Sequence, residues 1–224
     1  MTAAVLVPSR RSFLAGGASL AALTLAGCAT SRRLVIEDQP QFSEYYLQMY
    51  GPLPNERFPV PAVDLTKLDP SMFRTQVTDP TGEAPGTIVV NTGERHLYLV
   101  LEGGQAIRYG VGIGRDGFTW SGRAKVGRKA EWPTWTPTRN MINREPDRYG
   151  PYAGGLPGGP TNPLGPRALY LYKGGRDTLF RLHGTTEPYT IGTNVSSGCI
   201  RLMNQDIIDL YNRVPTGTRV VVIN

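Results

Sequence analysis

The chain has 224 residues, of which 40% are hydrophobic, and its formal net charge is +6 at pH 7. This composition supports a folded core and excludes a disordered chain. The basic residues are dispersed and form no nucleic-acid-binding motif, so we expect no nucleic-acid partner. A mild positive charge favours an anionic polymer or a membrane surface, and the 27 glycines and 19 prolines favour short strands and turns over long helices.

Residues 1–27 are predicted to be a signal peptide. Arg10 and Arg11 are the only charged side chains before Cys28, and an apolar stretch over residues 13–26 follows them. That stretch is shorter than the roughly 20 apolar residues that span a bilayer, and its position behind positive charge is typical of secretory signals. Residues 9–14 resemble the twin-arginine export signal of bacteria. A general secretory signal that holds two arginines is the alternative.

The sequence Leu-Ala-Gly-Cys at residues 25–28 resembles a bacterial lipobox, in which the cysteine is lipidated and becomes the first residue of the mature protein. Two or three acyl chains on Cys28 anchor a protein stably to a membrane. Ala29 follows the cysteine, which by resemblance to lipoprotein sorting favours the outer membrane. We therefore predict an exported lipoprotein on the periplasmic face of a Gram-negative membrane, with plain cleavage beside an incidental Cys28 as the alternative.

Residues 28–85 are predicted to be a lipidated tether and a proline-rich lead-in. Seven prolines between positions 52 and 85 interrupt any long regular element. Residues 42–50 predict a short helix or strand with an aromatic face.

Residues 86–224 are predicted to form one mostly-β domain with one or two helices. Three consecutive strands joined by tight turns indicate an antiparallel meander rather than a βαβ unit. Asn204 is predicted to cap the N-terminus of a helix that carries Ile207, Ile208 and Leu210. The predicted strands are residues 87–91, 94–101, 106–113, 125–131, 168–172, 179–183 and 219–223.

A long segment dense in glycine and proline, Asn143–Pro166, is predicted to be a loop. Loops of this length without an element of their own are usually functional or disordered. We expect this loop to act as a lid over a groove.

Cys199 and His183 are the candidate catalytic pair. A thiolate is a strong nucleophile, but a cysteine needs a neighbouring base or cation to form it at neutral pH. His183 ends a predicted strand, and the 16 positions that separate it from Cys199 allow the chain to fold back. Gly198 lets amide groups near Cys199 point at an oxyanion, and Arg201 is a candidate for holding a substrate carboxylate or carbonyl. A buried cysteine and a structural histidine are the alternative.

The segment from His183 to Leu202 reads HGTTEPYTIGTNVSSGCIRL and resembles the signature of the L,D-transpeptidase family with the YkuD-type catalytic domain. The similarity covers residues 86–223 and includes the motifs Trp-Pro-Thr-Trp-Thr-Pro at 132–137, Pro-Gly-Gly-Pro at 157–160 and Asn-Pro-Leu-Gly at 162–165.

This resemblance implies a β-sandwich with the cysteine in a groove and a peptidoglycan stem tetrapeptide as substrate. It implies that Cys199 attacks the bond between an L-diamino acid and the terminal D-Ala, that D-Ala leaves, and that an amine takes the acyl group from the thioester. The amine belongs to a second stem or to a lipoprotein. His183 is the implied base, no cofactor or metal is implied, and carbapenems are expected to acylate Cys199.

One departure from the family concerns Ser197, where many members have a second histidine. His183 is therefore the only candidate base in the motif, and Ser197 is predicted to supply the main-chain carbonyl that orients it. Gly184, Ser197, Gly198 and Arg201 complete the predicted site, as groups that bind substrate or oxyanion or that orient the base. Two alternatives remain open: an L,D-carboxypeptidase or hydrolase on the same residues, and a non-catalytic wall-binding lipoprotein.

Side chains outside the motif are predicted to have structural roles. His96 is expected to be structural or at the surface, and Trp120, Trp132 and Trp135 are expected in the core or in the wall of a groove.

Overall fold

The computed structural model describes residues 41–114, 120–195 and 199–224. The predicted signal peptide, the lipobox with Cys28, and Ser197 and Gly198 lie outside these residues. Among the helices that are described, none has the length and apolar character needed to cross a bilayer.

Strands dominate the described residues. The helices are α1 Glu44–Met49, α2 Arg139–Arg144, α3 Pro146–Tyr149 and α4 Asn204–Arg213. The strands are β1 Thr75–Thr78, β2 Ile88–Asn91, β3 His96–Val100, β4 Gln105–Gly110, β5 Gly112–Gly114, β6 Gly122–Glu131, β7 Arg167–Lys173, β8 Arg176–His183, β9 Asn194–Val195, β10 Ile200–Arg201 and β11 Arg219–Ile223.

The strands form one curled sheet in the order β1-β4-β3-β2-β11-β6-β7-β8-β10-β5-β9. β4 is second and β5 is tenth in this order, although only Val111 separates them in the chain. Because the two strands are covalent neighbours, the sheet has to curl until its ends meet. Side chains from β2, β3 and β4 therefore share one core with side chains from β7, β8 and β10.

The mostly-β fold predicted from the sequence is confirmed, and the antiparallel meander is β2-β3-β4. β11 shows why the residues form strands: Val220 and Val222 point into the main core, whereas Val221 packs in a cluster on the opposite face. β-Branched side chains fit such a pleated surface. α4 closes the core with Ile207 and Leu210.

The helical content is higher than predicted. The described part of residues 86–224 contains three α-helices instead of one or two, because α3 lies in the segment predicted as a loop and α2 ends within it. The side chain of Thr138 caps α2 by accepting a hydrogen bond from the Met141 N–H, and Pro146 begins α3. Both are ordinary helix-start signals. The glycines and prolines around them favoured the prediction of a loop.

The predicted capping role of Asn204 is wrong. Asn204 is the first residue of α4, and Met203 occupies the cap position without a side-chain hydrogen bond. The Asn204 side chain instead accepts a hydrogen bond from the Thr185 N–H at 2.9 Å. It therefore joins α4 to the segment that follows β8.

Part of the segment predicted as a lead-in packs on the sheet and on α4. β1 pairs with β4, and Tyr50 and Phe73 lie in a buried cluster with Met203. The Tyr50 hydroxyl donates to Asp206 on α4 at 3.2 Å and accepts from the Arg74 N–H at 2.6 Å. Residues 41–78 are thus held by both backbone pairing and buried side chains.

Candidate active site

The two predicted catalytic side chains lie at the ends of neighbouring strands, His183 as the last residue of β8 and Cys199 just before β10. β8 and β10 are parallel, with Leu182 opposite Ile200 and His183 opposite Arg201. Cys199 directly precedes β10, and its carbonyl oxygen accepts a hydrogen bond from the Gly114 N–H at 3.1 Å. The loop between His183 and Cys199 therefore folds back, as the spacing predicted.

Strand alternation places the predicted functional side chains on one face of the sheet. Leu182 and Ile200 point into the core, and neighbouring residues on a strand point to the opposite face. His183, Cys199 and Arg201 consequently share the face away from that core. Arg201 interacts electrostatically with both the imidazole and the thiol, while Cys199 is partly exposed.

A backbone carbonyl fixes the tautomer of His183. Nδ1 lies 2.6 Å from the carbonyl oxygen of Gly184, so the carbonyl that orients the imidazole belongs to Gly184 and not, as predicted, to Ser197. A carbonyl oxygen can only accept, so this contact assigns the imidazole proton to Nδ1 and leaves a lone pair on Nε2. A general base needs a nitrogen that carries no proton, and this tautomer leaves Nε2 in that state.

Burial keeps His183 neutral. The residue is 5% exposed, and burial lowers its pKa from the ordinary 6.5 to about 4. The hydrogen bond to Gly184 acts in the opposite direction, and the guanidinium groups of Arg201 and Arg181 lower the pKa further. At neutral pH the imidazole can therefore accept a proton.

The turn after His183 is held by close packing. A Cβ on Gly184 would overlap the Oδ1 of Asn204 and would lie 2.8 Å from the Cδ of Pro166. The same Asn204 oxygen accepts from the Thr185 N–H. Asn204 is thus a positioning residue for the Gly184 carbonyl, a role that the sequence analysis missed because the same asparagine also fitted a helix cap.

Arg201 is a buried cation with unused hydrogen-bond donors. Its side chain is 9% exposed and its Nη1 lies 3.5 Å from Oε2 of Glu187. Among the described residues, its Nε and Nη2 have no hydrogen-bond acceptor. A Cβ on Gly112 would lie 3.2 Å from Nη2, so this glycine leaves room for the guanidinium. Gly112 and Glu187 were not predicted, although Glu187 lies within the motif.

Residues at the end of the predicted lid contact the turn after His183. The side-chain amide of Asn162 donates to the carbonyls of Pro133, Leu156 and Pro157, and its oxygen accepts from the Leu164 N–H. A Cβ on Gly165, which has φ +65°, would lie 2.9 Å from the Cα of Gly184. Opening of the loop as a lid stays a prediction.

The remaining predicted side chains lie in structural positions. His96 contacts the carbonyl of Ser71 through Nε2 at 3.1 Å, which links β3 to the lead-in. Trp132 is buried against Phe58, and Trp120 stacks on Phe180. Across the three described ranges, no group of three or more His, Cys, Asp or Glu side chains could hold a metal ion; the absence of a metal requirement stays a prediction.

Comparison with known proteins identifies relatives that match the domain predicted at residues 86–224. The YkuD family model, an L,D-transpeptidase catalytic domain, matches residues 85–222. The probable L,D-transpeptidase YbiS of Escherichia coli K12 is 42% identical over 142 residues, which cover 61% of this chain and 44% of that protein. A putative L,D-transpeptidase of Fuscovulum blasticum is 38% identical, over 61% of this chain and 68% of that protein. The match thus spans less than half the length of YbiS.

One solved structure is similar to this chain in both fold and sequence. A crystal structure of a probable carnitine operon oxidoreductase (caia) from Brucella melitensis is 48% identical, with a TM-score of 0.50, over 71% of this chain and 99% of that chain. That protein is named as an oxidoreductase, whereas the curated relatives above are named as L,D-transpeptidases. The family model covers more than half of the chain and contains both His183 and Cys199. The chain therefore belongs to the L,D-transpeptidase family with the YkuD-type catalytic domain.

Proposed function

We propose that this protein is a peptidoglycan L,D-transpeptidase with Cys199 as nucleophile and His183 as general base. The observation that carries the proposal is the neutral imidazole, whose Nδ1 proton is bound by the Gly184 carbonyl, on the same sheet face as Cys199 and the cation Arg201. A histidine with only a structural role would not need a thiol on its sheet face. It would also not need a cation whose hydrogen-bond donors are unused.

The first half of the reaction forms a thioester. Nε2 of His183 takes the proton of the Cys199 thiol, and Sγ attacks the carbonyl carbon between the L-diamino acid and D-Ala. The positive charge of Arg201 near the sulfur favours the thiolate. When the tetrahedral intermediate collapses, the C–N bond breaks, and the imidazolium gives its proton to the amine of the departing D-Ala.

The second half transfers the acyl group to an amine. The acceptor amine attacks the thioester carbon, loses a proton to Nε2 of His183, and releases the Cys199 thiolate as the C–S bond breaks. The thiolate then recovers the proton from the imidazolium. The product is a 3-3 cross-link when the amine comes from a second stem and a protein attachment when it comes from a lipoprotein. Water in place of the amine gives the carboxypeptidase or hydrolase alternative.

Arg201 is proposed to bind the terminal carboxylate of the donor stem. Its Nε and Nη2 are buried and without an acceptor among the described residues. Unsatisfied buried donors on a cation are costly, and a carboxylate can accept from both nitrogens at once. Glu187 reaches only Nη1, so it does not occupy the same two donors.

Intact-mass measurement tests the proposed reaction. The full-length protein exposed to a stem tetrapeptide is expected to gain the mass of the acyl group and to release D-Ala, while Cys199→Ala gains nothing. Addition of amine acceptors should convert the adduct to cross-linked product, whereas conversion to free tripeptide at an equal rate would favour the hydrolase. A tetrapeptide with an amidated terminus should form the adduct more slowly. A reduced, folded protein with no adduct from tetrapeptide or carbapenem would contradict the proposal and favour a binding role.

We also propose export and lipid anchoring at Cys28. The support is the sequence of residues 1–28, with its two arginines, short apolar stretch and lipobox-like Leu-Ala-Gly-Cys. In cells fed an alkyne-labelled fatty acid, the wild-type protein is expected to acquire label and to sediment with membranes. The Cys28→Ser protein should lose both properties, and labelling that survives this substitution would contradict the anchor. Density-gradient separation would then distinguish the outer membrane from the inner one.

A further inference from the structure

The sheet face that carries His183 also carries two arginines stacked on one tyrosine. Tyr170 on β7 lies opposite Arg128 on β6 and opposite Arg181 on β8. The Cζ of Arg128 lies 3.7 Å from the centroid of the Tyr170 ring, and the Cζ of Arg181 lies 4.3 Å from the same centroid. Arg181 is two residues before His183, so strand alternation directs both side chains to the same face. The three stacked side chains form the Arg-Tyr-Arg row.

The two arginines of this row differ in their partners. Arg181 donates through both of its Nη atoms to the carboxylate of Asp177, at 2.7 and 2.9 Å. Arg128 is exposed, and within the described part of the chain its guanidinium has no hydrogen-bond acceptor and no ion pair. Stacking on Tyr170 restrains the plane of the guanidinium and leaves the N–H groups at its edge available. Arg128 is therefore an oriented cation that can bind an anion.

The Arg-Tyr-Arg row lies near His183. Ala168 stands opposite His183 and Ala130 stands opposite Ala168, so the sheet places no larger side chain between His183 and Arg128. Strands about 4.8 Å apart, with a rise of about 3.3 Å per residue, put the Cα atoms of these two residues roughly 12 Å apart. Burial is the main cause of the low pKa of His183, and the nearby guanidinium of Arg181 lowers it further. The row therefore belongs to the surroundings of the proposed site.

The strand order indicates which part of the substrate reaches Arg128. β6, β7, β8 and β10 are consecutive in the sheet, so Arg201 on β10 and Arg128 on β6 lie on opposite sides of His183. A donor stem whose terminal carboxylate is bound by Arg201 then extends from the scissile bond towards β7 and β6. A fully extended tetrapeptide spans about 13 Å, which brings its second residue within reach of the long side chain of Arg128.

We propose that Arg128, oriented by Tyr170, binds the carboxylate of an acidic residue on the amino side of the diamino acid in the donor stem. This inference rests on the proposed function and deepens it by assigning a residue that determines donor specificity. A carboxylate can accept two N–H groups from the edge of a guanidinium. Arg181 does not serve this role, because Asp177 already occupies both of its Nη atoms. An acidic donor stem is thus bound at two carboxylates, one by Arg201 and one by Arg128.

Arg128→Gln tests the subsite, because it removes the charge at an exposed position and should leave the fold intact. The assay follows D-Ala release by the full-length protein with two donor tetrapeptides, which carry either glutamate or glutamine as their second residue. The KM for the glutamate peptide should rise about tenfold, as expected for the loss of one charge-assisted hydrogen bond, with kcat unchanged. The KM for the glutamine peptide should stay the same. Arg128→Lys keeps the charge but loses the planar fork, so it should restore the KM only in part.

Arg176→Gln is the matched control, because Arg176 is also an exposed arginine and lies at the other end of β8 from His183. It makes the same change in net charge and should leave both KM values as in the wild type. An equal rise for the two peptides in Arg128→Gln, no rise for either, or an equal effect of Arg176→Gln would overturn the subsite. Unchanged KM values with loss of binding to phosphatidylglycerol vesicles would also overturn it and assign Arg128 to a membrane surface. These outcomes differ from failure of the proposed function, in which the wild-type protein forms no thioester with either peptide.

Discussion

Replacement of His183 by glutamine is expected to slow thioester formation by about 10²–10⁴-fold, the usual contribution of a positioned general base. Glutamine keeps a side-chain amide near the Gly184 carbonyl, but it cannot take the thiol proton. The measurement is the single-turnover rate of adduct formation with the tetrapeptide, followed by intact mass. His96→Gln is the matched control, since the other histidine of the chain contacts the Ser71 carbonyl and should leave the rate unchanged. Equal rates for the two variants would exclude His183 as the base.

The pH dependence of the wild-type protein provides a second readout for His183. Burial lowers its pKa to about 4, and the neutral imidazole is the active form. Adduct formation at low tetrapeptide concentration should therefore persist at pH 5 to 6 and fall as the pH drops through about 4. An imidazole with the ordinary pKa of 6.5 would already lose activity near neutrality, and such a profile would contradict the buried, neutral base.

The lowered pKa of His183 also affects the stability of the folded protein. Between about pH 4 and 6.5 the unfolded chain binds a proton at His183 that the folded protein does not, so the free energy of unfolding should fall as the pH decreases through this window. Circular dichroism at each pH separates loss of the fold from loss of the base. In His183→Gln this contribution to the pH dependence should be absent.

The sequence predicted the central strands well because their side chains are mostly buried and hydrophobic, and in β2 and β11 mostly β-branched. β11 matches its predicted bounds, and β2 and β3 differ from theirs by a few residues. β1 was missed: its residues Thr-Gln-Val-Thr are mostly polar and only Val77 packs against a buried cluster. Its pairing with β4 is a long-range contact that no local pattern encodes.

The site was predicted from its motif, whereas its supporting contacts were not. His183, Cys199 and Arg201 were predicted because the segment that contains them resembles the family signature, whereas their residue types alone left a structural alternative open. The β8–β10 pairing that brings them together involves a strand of two residues, too short to show periodicity. Asn204 acts through a contact between distant parts of the chain, so only the folded structure relates it to the site.

The expected effect of Gly184→Ala combines stability and catalysis. The added Cβ would overlap Asn204 Oδ1 and lie 2.8 Å from Pro166 Cδ and 3.3 Å from Gly165 Cα. Two of these three neighbours belong to backbone or to a proline ring and cannot rotate away. Overpacking of this kind costs about 1–3 kcal/mol of unfolding free energy, to be measured by urea denaturation.

Catalysis should be affected even where the variant remains folded. Relief of the overlap requires the turn to shift, and the Gly184 carbonyl then moves from its 2.6 Å contact with His183 Nδ1. The imidazole loses the contact that fixes its tautomer, so thioester formation should fall under conditions in which circular dichroism shows a native signal.

Gly154→Ala is the control for Gly184→Ala, because a Cβ on Gly154 would meet nothing within 4 Å. It should change the unfolding free energy by no more than about 0.5 kcal/mol, as surface substitutions usually do. The double variant Gly184→Ala/Asn204→Ala removes the overlapping oxygen, so its stability loss should be smaller than the sum of the two single losses. A strictly additive loss would mean that the Gly184 methyl group is accommodated elsewhere. Asn204 would then no longer account for the position of the turn after His183.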